Sequence, residues 1–89
     1  MKPQDVTSPK QHLASHQVIY DGGEDEWSVA KILWRDDWNE ATTTGIGIRW
    51  NGKDDGLGQP QSSGHPTWFV LPEGFISHCV EMWATYLAR

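Results

Sequence analysis

The sequence predicts an α+β domain, a four-stranded antiparallel sheet followed by one C-terminal helix packed on one face. Three observations carry this. Segments 16–21, 27–34, 45–50 and 67–71 are rich in β-branched and aromatic residues and are separated by glycine, proline and acidic turns. After them, apolar residues recur at three- and four-residue intervals from Phe75 to Leu87, the period of a helix with one buried stripe. The links between strands are short or irregular rather than helical, which favours antiparallel pairing.

Residues 1–15 are polar, with Pro3 and Pro9 and only Val6 and Leu13 as sizeable apolar groups, and are expected to form a flexible lead-in to a single domain spanning 16–89. Val18, Ile19 and Tyr20 make a short first strand ended by Gly22-Gly23. In the second strand Trp27, Val29, Lys31 and Leu33 alternate with Ser28, Ala30, Ile32 and Trp34. Apolar groups on both sides argue for a central strand covered on each face.

Residues 35–44 are a polar connection in which Trp38 is the tryptophan least suited to a core. Gly45 to Trp50 alternates cleanly, placing Ile46, Ile48 and Trp50 opposite Gly45, Gly47 and Arg49. Residues 51–66 form a long glycine- and proline-rich loop, uncommon in a compact domain without a function. Thr67 to Leu71 reads as a buried last strand. Pro72 suits the first helical position and Glu73 the positive end of the helix dipole. One helix covers one face of a sheet only, so the other is expected to be covered by the N-terminal segment, by sheet curvature or, the favoured option, by a second copy of the chain.

Size supports that preference. A chain of 89 residues hides only roughly 60 to 68% of its unfolded surface, and its six tryptophans cannot carry the fold alone. The net charge is -5, and nine of the twelve acids lie between Asp21 and Asp55, which disfavours binding a phosphate backbone by charge. No run of eighteen apolar residues is present, the first sixteen residues lack the apolar core of a secretion signal, and Cys79 has no partner for a disulfide within the chain. A cytoplasmic protein is the expectation.

Several chemistries fail on their own requirements. Asn51 to Gly56 superficially resembles the start of a calcium-binding EF-hand loop. Lys53, however, stands where an oxygen ligand belongs, Ser62 occupies the place of the bidentate glutamate, and no helices flank the segment; a hairpin-like turn on Asn-Gly and Asp-Gly pairs fits better. The spaced glycines 52, 56, 58 and 64 lead into a strand, not the helix N-terminus a phosphate cradle needs. His12 and His16 lack a third ligand nearby, His65 and His78 are distant in sequence, and Cys79 falls on the apolar helix stripe, where a thiol is inert. No metal or cofactor is therefore expected. His65, Asp54, Asp55 and Arg49 are the groups available for acid–base work, against the simpler reading of a solvated loop.

The remaining candidate is a recognition surface comprising Arg49, Trp50, Gln59, Ser62, Ser63, His65 and Trp68, with Gln61 beside them. Tryptophan and arginine dominate binding hot spots, and the bare Gly45 and Gly47 would admit a ring or a backbone, unless one of the chain's own tryptophans fills that space. The expected function is a small non-enzymatic binding or protein-interaction module that self-associates, a dimer being favoured. Two alternatives remain: a small-molecule-binding protein or small enzyme using the 51–66 loop, and an acidic decoy of a basic, nucleic-acid-binding partner.

Overall fold

The structure, a computed structural model, describes residues 1–35 and 42–88. The main sheet holds four strands in the order β1-β2-β3-β6, all antiparallel: β1 (Leu13–Asp21), β2 (Trp27–Arg35), β3 (Thr42–Trp50) and β6 (Phe69–Pro72). A small hairpin, β4 (Gln61–Ser62) with β5 (His65–Pro66), interrupts the long loop, and α1 (Glu73–Leu87) ends the chain. A four-stranded antiparallel sheet followed by one C-terminal helix is thus the architecture. Trp38 lies outside the described residues.

The strands run beyond the predicted limits where composition was uninformative. β1 begins at Leu13 and β3 at Thr42. Threonines 42–44 carry no apolar alternation but are β-branched and suit a pleated surface. Pro72 closes β6 and is also the N-cap of α1, so no residue separates strand from helix.

Residues 1–12, expected outside the domain, supply part of its core. Val6 is fully buried in one cluster with Leu13, Ala30, Ile32 and Trp68, and a single turn of 3-10 helix at Pro3–Asp5 precedes it. The reason is a tertiary partner: the Trp68 indole Nε1 donates to the Val6 carbonyl at 2.9 Å. Pattern within residues 1–15 cannot reveal a receptor that lies more than sixty positions away.

The helix differs from the expectation in its packing. Phe75, Ile76, Val80, Met82, Trp83, Tyr86 and Leu87 are all exposed, and among the strands α1 lies chiefly against β3 and β6. The N-terminal segment, not the helix, covers a face of the sheet. No described helix is long and apolar enough to cross a membrane.

Candidate functional site

Strand register separates the predicted site residues onto two faces. Directly paired residues share a face, so Ser28, Ala30 and Ile32 lie with Arg49, Gly47 and Gly45, and Trp27, Val29 and Lys31 lie with Trp50, Ile48 and Ile46. The first set faces the N-terminal segment. The second is uncovered.

On the covered face, a methyl group built on Gly47 would stand 2.8 Å from Ile32 Cγ1 and 3.0 Å from Trp68 Cε3. The space over Gly47 is therefore filled by Ile32 and the chain's own Trp68 indole, as the simpler reading allowed, and that over Gly45 by the Leu71 carbonyl and Val70. His16 packs against the same ring at 5.9 Å between centroids, and His12 stacks on Trp34 at 5.1 Å. Their polar atoms find separate carbonyls, Arg35 for His12 at 2.9 Å and Gln4 for His16 at 3.1 Å. Among the described residues no group of three or more His, Cys, Asp or Glu is placed to hold a metal ion.

Arg49 is 3% exposed, and its guanidinium is engaged internally. Nη1 donates to the Thr67 carbonyl at 2.6 Å, while Nη2 donates to the carbonyls of Trp50, at 3.2 Å, and Leu57. Burial lowers its pKa from the usual arginine value by penalising the charged form, although arginine keeps its proton in proteins. The planar fork that could have held an anionic ligand instead ties the end of the long loop to the sheet.

The other predicted residues do not converge either. Trp68 is buried, whereas Trp50 is half-exposed on the opposite face. Ser62, Ser63 and His65 line a shallow recess with Ser8 to Gln11, and Gln59 lies across the loop against Trp50, with which it exchanges backbone hydrogen bonds at 2.7 and 2.9 Å. The seven predicted residues thus form no single site: Arg49, Trp50 and Gln59 line one groove, Ser62, Ser63 and His65 another recess, and Trp68 is buried.

What sequence reasoning missed is the uncovered face as a unit. Tyr20, Val29, Ile48 and Phe69 form one cross-strand row spanning all four strands, and Trp27 and Trp50 pair in the next row. Tyr20 tilts against Trp27 at 5.2 Å. Tyr20, Trp27, Trp50 and Phe69 are each 46 to 56% exposed. A groove of about 520 Å³ runs between Trp27, Ile48, Arg49, Trp50, Gln59, Pro60 and Phe69. Lys31 stands exposed on the same face. The alternation of Ile46, Ile48 and Trp50 was the available signal; which face the chain would cover was not in it.

A polar hub also went unread. Asn51, 2% exposed, accepts from Ser28 Oγ at 2.9 Å and donates to the Gly23 carbonyl at 2.8 Å, locking the β1–β2 turn to the end of β3. Asp21, Glu24, Asp54 and Asp55 gather beside it around a recess that also touches Met1 and Lys2. Glu24 Oε1 accepts from the Asp54 backbone N–H at 2.6 Å and Asp21 Oδ1 from that of Gly23 at 2.9 Å, so two of these carboxylates serve the fold. No family model matches the chain, and neither a curated protein nor a solved structure matches it significantly.

Proposed function

We propose that the protein is a small non-enzymatic interaction module that self-associates, with a dimer as the favoured assembly and the uncovered sheet face as its contact surface. One observation carries this reading. The aromatic row and the Trp27–Trp50 pair lie uncovered on a rigid sheet. Four half-exposed aromatic side chains amount to about 300 to 500 Å² of surface, the size of the largest apolar patch on a typical monomer, which is often functional. Aromatic side chains are also the residues that dominate binding energy at protein interfaces. The proposal invokes no cofactor, and the unpaired Cys79 suits a reducing compartment such as the cytoplasm.

Sedimentation velocity from low to high micromolar concentration tests it. A species heavier than the 10.1 kDa chain that gains population with concentration is expected; a constant monomer overturns the reading. The acidic-decoy alternative draws support from the gathering of Asp21, Glu24, Asp54 and Asp55. It takes second place because part of that charge is used within the fold.

A further inference from the structure

We infer that the occupant of the uncovered sheet face is helix α1 of a second copy, exchanged reciprocally so that each copy seats its helix on the other's sheet. This rests on the self-association proposed above and adds its architecture.

The helix has an apolar face that its contacts with β3 and β6 leave largely exposed. At 3.6 residues per turn, Phe75, Ile76, Val80, Trp83, Tyr86 and Leu87 occupy roughly 140° of its circumference, with Cys79 among them, while Ser77, His78, Glu81 and Thr85 take the other side. Val80, Trp83, Tyr86 and Leu87 are each more than 60% exposed. An isolated helix of fifteen residues is marginal in water, and packing of its amphipathic face supplies most helix stability in proteins. A stripe of this width without a partner in its own copy calls for one outside it.

The strand–helix junction explains why the chain does not satisfy itself. Folding a helix back onto its sheet takes a connection of about two to six residues, and here Pro72 both ends β6 and caps α1. The helix therefore leaves the sheet without a reversal. The radius of gyration is 14.1 Å, against about 12 Å for a compact domain of this length. The sheet face and the helix stripe are left uncovered in the same molecule, and the same exchange would cover both.

Size and shape agree with that solution. Helix α1 is about 22 Å long, enough to cross four strands spaced about 4.8 Å apart. The half-exposed sheet aromatics and the helix stripe, counted together for one copy, approach the roughly 800 Å² per partner of a stable interface. A two-fold arrangement uses both surfaces of both copies, as isologous dimers do. The two sheet edges are less suited to pairing: β1 has register shifts between Leu13 and Ser15 and between Val18 and Tyr20, while β6 is four residues long and ends in Pro72. Bulges, short length and proline protect edge strands from addition.

The experiment uses the full chain and two variants, Val80→Asp on the helix and Phe69→Asp on the sheet face. Each site is more than half exposed in the single copy, so both variants are expected to remain folded, which circular dichroism checks. Each variant alone is expected to weaken dimerisation at least roughly 100-fold, since burying an unpaired charge in an interface costs several powers of ten. Mixed together, they are expected to associate more tightly in sedimentation than either alone though less than wild type, because an intact helix from the Phe69→Asp copy can seat on the intact sheet of the Val80→Asp copy while the second seat, which carries both aspartates, stays open. The thiol of Cys79, the only cysteine, should react more slowly with a thiol reagent as protein concentration rises.

Each contrary outcome has a distinct meaning. A wild-type chain that stays monomeric overturns both the self-association and the exchange. A wild-type dimer that Val80→Asp leaves intact, or variants that dimerise no better mixed than alone, overturns the exchange while self-association stands, the sheets then meeting directly.

Discussion

Trp68 and Phe69 are neighbours in sequence and lie on opposite faces of one sheet. Trp68 is 5% exposed and Phe69 56%. The difference arises from what the rest of the chain brings to each side. On the Trp68 side, residues 1–12 cross the sheet, Val6 supplies a carbonyl for the indole, and Arg49 ties down the Thr67 and Leu57 carbonyls. On the Phe69 side only Gln59 and Pro60 of the long loop reach the margin, beside Trp50, and the helix that could have covered the rest departs without a turn at Pro72. An apolar side chain thus contributes to folding on one face and is left available for association on the other.

The comparison breaks most readily at Trp68. Trp68→Ala removes the ring that fills the space over Gly47 and leaves the Val6 carbonyl unpaired, and large-to-small changes of this kind cost about 3 to 5 kcal/mol. Against a total of roughly 4 to 13 kcal/mol for a domain of this length, urea unfolding should show a greatly lowered midpoint or no folded baseline. Arg49→Met comes next. It keeps much of the volume but strips the Thr67 and Leu57 carbonyls of their side-chain donor, the Trp50 carbonyl keeping the Gln59 N–H, and the expected loss is about 2 to 3 kcal/mol in the same measurement. If Arg49 instead served a ligand site, its removal would leave stability nearly unchanged.

Gly47→Ala adds one methyl to the covered face. Its Cβ would stand 2.8 Å from Ile32 Cγ1, tighter than packed atoms tolerate, and the expected cost is about 1 to 2 kcal/mol in urea unfolding. The space over the glycines was legible as a question in the sequence, since a strand with Gly45 and Gly47 on one side must be approached by something. The strands and the helix were legible as well, because period-2 and period-3.6 patterns are local. The pairing of Val6 with Trp68 was not, as it joins residues far apart in the sequence. Nor was the separation of Trp50 from Trp68. Alternation fixes facing within a strand, but the seventeen residues between Trp50 and Trp68, with a hairpin of their own, carry no parity from β3 to β6. Arg49 misled for a related reason: a residue type suited to ligand binding is equally suited to holding backbone carbonyls, and only the loop's path distinguishes the two.

Phe69→Thr carries the smallest expected effect on folding and sharpens the comparison most. Full burial of a phenylalanine is worth about 1.5 to 3 kcal/mol, so a ring that is more than half exposed should cost about 1 kcal/mol or less when removed, and threonine preserves the β-propensity of the strand. Measured in urea at low micromolar concentration, the variant should therefore lie close to wild type, in contrast to its neighbour Trp68→Ala. Raising the protein concentration reverses the ranking of what matters. A wild-type chain that associates through this face gains stability by mass action, and its unfolding midpoint should climb with concentration, whereas that of Phe69→Thr should stay flatter. Equal concentration dependence in the two proteins would show that Phe69 lies outside the contact and that the uncovered face is not where copies meet.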